Sequence, residues 1–125
     1  MYDYIRTLAL RLQAGEISGF TVSAATGDAR TSGFAVGGDP ECPEVRLANF
    51  ADMPSRLLTM HLNNYVDAVF QYGQGTVGGW VHEGYLYLDA PTIFPDQEDA
   101  RSVSRERGEL AYFDLNTMTE HTITD

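Results

Sequence analysis

Three histidines, one cysteine and a Gly-x-Gly-x-x-Gly run are the residues of this sequence whose types could do chemistry. His61, His82 and His121, with nearby carboxylates, are candidate metal ligands. Catalytic zinc takes three protein ligands, often two of them closely spaced on one element, whereas these histidines lie more than 20 residues apart. His82 and Glu83 are adjacent in a tight turn, and neighbours on a turn rarely converge on one ion. No metal site is expected. Cys42 lies between Glu41 and Pro43, where carboxylates raise a thiol pKa and suppress nucleophilicity. No serine sits in a Gly-x-Ser-x-Gly elbow. The run Gly73-Gln74-Gly75-Thr76-Val77-Gly78 has dinucleotide-motif spacing, but a helix precedes it and a strand follows, the reverse of the required context. The P-loop needs a lysine, and this chain has none. No catalytic residue and no cofactor are assigned.

Binding chemistry has more to draw on. Between Leu57 and Ala100 there is no lysine or arginine, while Asp67, Glu83, Asp89, Asp96, Glu98 and Asp99 are present. Such a stretch can face a basic partner, including the DNA-binding groove of a host protein, and Glu98 and Asp99 are its candidate contact residues. DNA carries a charge every roughly 1.7 Å of axis, so this spacing is sparse for a nucleic-acid mimic. Asp96, Glu98 and Asp99 also sit where a helix start favours anions, with Arg101, Arg105 and Arg107 toward its end, an order that simply stabilises a helix. The second group is aromatic. Trp80, Tyr85, Tyr87 and Tyr112 fall on strands and are read as sharing a sheet face. Aromatic residues make ordinary core and cross-strand pairs and are also enriched at interface hot spots. If the chain has a binding surface, it is expected there.

The elements that position these residues can be read from periodicity. Ile5, Leu8 and Leu12 recur at helical spacing over about Tyr4–Ala14, with Asp3 as cap and Gly15 after the last turn. Gly19–Ser23 and Ser32–Val36 alternate as half-buried strands and are expected to pair as a hairpin. The segment 37–44, with two prolines, is read as a loop. The strongest helix runs from about Met53 to Tyr72, capped by Asp52, with Leu58, Leu62, Tyr65, Val66 and Val69 as one apolar stripe. A second hairpin spans Gly75–Asp89 about the turn His82-Glu83-Gly84, with Leu86 and Leu88 on one face and Tyr85 and Tyr87 on the other. The long helix is expected to take the aliphatic face, leaving the tyrosines to N-terminal elements, a second copy or a partner. Asp96 caps a helix over Gln97–Arg107, Leu110–Leu115 is a last core strand, and Glu120–Ile123 an edge strand.

At 125 residues and 43% hydrophobic, the chain suits one domain over 1–125 with a core that needs no disulfide. The expected fold class is α+β: a mostly antiparallel sheet of about five strands with helices packed mainly on one face. A net charge of -10, with all eight basic residues arginine, excludes direct nucleic-acid binding as the expected role. No signal peptide and no membrane-spanning stretch is legible, so a cytoplasmic location is expected.

Two segments, Gly78–Asp89 and Arg105–Leu115, resemble the C-terminal part of small uncharacterised proteins of actinobacterial phages and mobile elements. The resemblance covers roughly the last half of the chain and implies no activity and no site residue. With no catalytic constellation, strong acidity and an aromatic sheet, the expected role is a non-enzymatic protein-binding accessory factor, monomeric or a homodimer. An acidic mimic that blocks a restriction or CRISPR-type defence is the alternative. A small enzyme with an unrecognised site is the third reading, because fold does not exclude function.

Overall fold

The computed structural model describes residues 3–123. Helix α1 (Asp3–Gln13) leads into β1 (Gly19–Ser23), β2 (Phe34–Val36) and β3 (Val45–Ala48), followed by the long helix α2 (Ser55–Tyr72). Then come β4 (Thr76–His82), β5 (Tyr85–Asp89), β6 (Thr92–Phe94), α3 (Gln97–Glu106), β7 (Ala111–Asp114) and β8 (Thr119–Thr122). The fold is α+β. Among the described residues, eight strands form two fully antiparallel four-stranded sheets, ordered β1-β4-β5-β3 and β6-β2-β7-β8. The expectation of a single sheet of about five strands is corrected by this division. No helix among the described residues is long and apolar enough to cross a membrane.

The division turns on the first pair of strands. The sequence pairs β1 with β2, but β1 lies against β4 and β2 between β6 and β7. The turn after Ser23 closes only a single bridge, Val22 to Ala29, before the chain departs for the second sheet. Alternation fixes which face a strand buries and says nothing about its neighbour. Two strands, β3 and β6, lie in segments to which the sequence reading assigns no element.

The inner face of the first sheet is covered by α1 and α2. Leu58, Leu62, Tyr65, Val66 and Val69 of α2 meet Val22, Val77, Leu86 and Leu88 of the sheet, with Ile5, Ala9 and Leu12 of α1 completing the cluster. The apolar stripe and the aliphatic face of β5 thus meet as expected. Gln13 ties α1 to the segment before α2, its Nε2 donating to the carbonyls of Phe50 and Met53, both at 2.8 Å. The expected caps fare differently. Asp96 does cap α3, accepting from the Glu98 amide at 2.8 Å. Asp3 lies inside α1, and α2 begins after Pro54 with no side-chain cap, so Asp52 plays no such part. Helix α3 packs on the second sheet, where Val36, Ala100 and Tyr112 form a smaller cluster. Two helices therefore share one sheet and the third has its own.

One glycine is decisive for the packing of α1. Gly27 has φ +79°, and a Cβ there would overlap the ring of Tyr4, whose hydroxyl donates to the Ala24 carbonyl at 2.7 Å. Gly27→Ala combines the left-handed penalty of about 1–2 kcal/mol with overpacking of about 1–3 kcal/mol. A loss of about 2–4 kcal/mol is expected in a denaturant titration. A variant as stable as wild type would show that Tyr4 swings aside at no cost.

Candidate functional site

The outer face of the first sheet is exposed at its hairpin end, where β4 and β5 carry an aromatic row; toward the start of β4 the same face is covered, Thr76 and Gly78 being buried. They are joined by a two-residue turn, Glu83 and Gly84, both at positive φ (50° and 81°), the geometry that matches the twist of a tight hairpin. This register sets Trp80 opposite Tyr87 and His82 opposite Tyr85. The Trp80 and Tyr87 rings stack at 4.5 Å with 15° between their planes, and His82 and Tyr85 flank them at 5.3 and 6.1 Å. Trp80 is nonetheless 44% exposed and Tyr85 42%. On its other side Trp80 faces Gly19 of β1, which offers no side chain to cover the indole. Three of the four aromatic residues expected on one face are therefore together, and they are surface rather than core.

Tyr112 is not with them, because β7 belongs to the second sheet. It is buried there, edge-on to Phe34 at 6.1 Å and stacked on His121 at 5.3 Å, its hydroxyl accepting from Gln97 Nε2 at 2.7 Å. Glu98 and Asp99 are also elsewhere, exposed on the first turn of α3, with Glu98 paired to Arg101 at 2.8 Å. Of the remaining carboxylates of the acidic stretch, Asp96 caps α3 beside them, while Asp67 on α2, Glu83 in the hairpin turn and Asp89 at the end of β5 are dispersed.

The row continues into residues that sequence reading missed. Strand β3 sets Arg46 opposite Tyr87, its guanidinium 5.6 Å from the ring centroid and 3.5 Å from the Glu44 carboxylate. The signal was present: Glu44-Val45-Arg46-Leu47 alternates with period two directly after Pro43. Further along β5, Asp89 lies two residues beyond Tyr87 and therefore on the same face. It is paired with Gly78, whose missing side chain leaves room for the carboxylate.

Here the face ends in a cleft of about 400 Å³ whose walls include Asp39, Cys42, Glu44, Asp89 and Glu109. Asp89 and Glu109 converge over Gly37: a Cβ on that residue would lie 2.8 Å from Glu109 Oε1 and 3.6 Å from Asp89 Oδ2. Asp39 is only 6% exposed; its Oδ1 accepts from the Glu41 amide at 2.9 Å, while Oδ2 is buried with no hydrogen-bond partner. Burial, then Glu44 and Glu109, push the Asp89 carboxyl up to about 6. The hydroxyl of Tyr65, donating to the carbonyls of Cys42 and Pro43, is raised by burial and by Asp89. Arg107 is nearby, but its guanidinium donates to the carbonyls of Val36 and Gly37 and to Thr92 Oγ1. Among the described residues no arginine or histidine lies within ion-pair range of Asp39, Asp89 or Glu109.

The groups suited to catalysis remain apart. Cys42 is buried, and burial, Asp39 and Glu41 raise its thiol, as the acidic loop predicts. His61 is on α2, His82 at the hairpin and His121 on β8, where its Nε2 lies 3.4 Å from Asp114 Oδ2 without hydrogen-bond alignment. Among the described residues no group of three or more histidine, cysteine, aspartate or glutamate side chains is arranged to hold a metal ion. Comparison with protein-family models, with curated proteins and with solved structures finds no match to this chain.

Proposed function

We propose that this protein is a non-enzymatic binding factor that recognises another protein through the open aromatic face of its first sheet. The observation that carries this reading is the Trp80–Tyr87 stack: two large rings held flat against each other at 4.5 Å, with the indole 44% exposed. Rings fixed in this way lose little conformational freedom on binding, and tryptophan, tyrosine and arginine dominate interface hot spots. Arg46, at the edge of the same row, completes that set. A buried, raised thiol and three separated histidines favour binding over covalent or metal chemistry. The resemblance of the C-terminal half to phage and mobile-element proteins fits an accessory factor directed at a host protein.

Trp80→Ala tests it. Affinity capture from host lysate with wild-type protein is expected to recover a partner that the variant loses, an affinity difference on the order of tenfold to a hundredfold. A surface truncation leaves no internal cavity, so the variant is expected to lose chiefly the stack on Tyr87, about 0.5–1.5 kcal/mol or a few degrees of melting temperature. Undiminished capture of the same partner by Trp80→Ala would refute this face as the contact surface.

A further inference from the structure

The aromatic row and the carboxylate cleft are one continuous surface. Along β5 the outer face carries Tyr85, Tyr87 and Asp89 in turn, each roughly 7 Å from the next. Across the sheet, Arg46 and Glu44 follow Tyr87 and Asp89. An aromatic platform therefore leads directly into a cleft in which Asp39, Asp89 and Glu109 have no ion pair among the described residues. Two features of the pocket ask for a cation from outside. Among the described residues, Asp89 and Glu109 converge over Gly37 with no basic side chain in ion-pair range, and Asp39 keeps a buried oxygen without a partner.

The size and shape of the cleft select the kind of cation. Its carboxylates are spread around about 400 Å³ rather than gathered into a metal-holding group, which suits an extended side chain with several donors. A guanidinium offers five donors in one plane and also stacks on aromatic faces. The chain's own Arg46 already binds the face in this manner, lying over Tyr87 while pairing with Glu44. Trp80 has an uncovered flank beside Gly19 for a second such contact. A second copy of this chain is a poor occupant, because each copy carries a net charge of -10 and face-to-face association would oppose those charges.

We propose that this face receives an arginine-bearing basic segment of a partner protein, one guanidinium entering the cleft between Asp89 and Glu109 and another basic side chain stacking on Trp80. This rests on the protein-binding reading above and adds the chemistry of the partner.

Trp80 is the only tryptophan in the chain, so its fluorescence reports directly on the face. Wild-type protein is titrated with end-blocked hexa-arginine, hexa-lysine and hexa-glutamate peptides at low salt. Hexa-arginine is expected to change the Trp80 emission saturably, hexa-lysine to bind several-fold more weakly because it cannot stack in the same way, and hexa-glutamate to have no effect. The Asp89→Asn, Glu109→Gln pair is expected to weaken hexa-arginine by roughly tenfold or more. Glu98→Gln with Asp99→Asn, an equal loss of charge at the opposite end of α3, is expected to change it by less than about twofold. Should the cleft pair fail to fold, Glu44→Gln, at an exposed position, is expected to weaken binding by several-fold.

Equal weakening by the cleft and α3 pairs would overturn the proposal, leaving only diffuse attraction to an acidic protein. An equal response to hexa-glutamate would overturn it while the protein-binding reading stands. So would silence toward all three peptides in a protein whose lysate partner still depends on Trp80. Sedimentation showing a dimer abolished by Trp80→Ala would name a second copy as the occupant and overturn it as well.

Discussion

Asp89→Asn is expected to raise the free energy of unfolding at pH 7 by about 2–3 kcal/mol and to leave it unchanged below about pH 4. Burial and the neighbouring Glu44 and Glu109 push the folded-state carboxyl from an ordinary value of 3.8 up to about 6, against a hydrogen bond from its own amide that lowers it. The folded protein therefore holds this proton more tightly than the unfolded chain does. Its contribution to stability is fully present below 3.8 and is lost as the pH rises through about 6. An asparagine keeps the shape without the charge, so wild type and variant coincide in acid and diverge toward neutrality. Denaturant titrations at pH 4, 5, 6 and 7 give the two curves. A variant no more stable than wild type at pH 7 would mean that the carboxylate is already solvated or neutralised there. The same substitution is expected to weaken a basic ligand, so stability and binding move in opposite directions at one residue, the pattern of a site kept under electrostatic strain for use.

The second large effect contrasts two adjacent residues. Leu88 is fully buried against the α2 stripe, and Leu88→Ala is expected to cost about 2–5 kcal/mol through lost transfer energy and the cavity left behind. Tyr87 points the other way. Tyr87→Ala opens no internal space and forfeits chiefly the stack on Trp80, about 0.5–1.5 kcal/mol. Equilibrium unfolding of the two variants measures the difference directly. Equal losses would place Tyr87 in a core, and the binding reading of the outer face would fall with it.

That contrast was legible in the sequence because strand alternation is local: Leu86 and Leu88 on one side, Tyr85 and Tyr87 on the other, follow from the pleat alone. The α2 stripe and the Asp96 cap were legible for the same reason, since helical spacing and a first-turn amide need only near neighbours. Pairing is not local. Nothing in Gly19–Ser23 says that it will lie against Thr76–His82 rather than Phe34–Val36, so the single sheet expected became two. Tyr112 was assigned to the wrong face by the same gap. The short strands β3 and β6 were hidden because prolines at 43, 91 and 95 mark their surroundings as loop. The cleft was the least readable feature. Asp39 and Glu44, Asp89, and Glu109 come from three separate segments and meet only when two sheets and a helix end are assembled.

Only Ala90 and Pro91 separate β5 from β6, so the step that ends the first sheet also begins the second. The cleft straddles this joint: Asp89 stands immediately before it, and Glu109 enters from the link between α3 and β7 on the far side. Like charges pressed together across a joint act as a loaded spring between the two halves. A cation seated there, as proposed, would unload it. Part of the energy of the proposed recognition would then go into seating one sheet against the other, and the filled protein is expected to be the stiffer of the two.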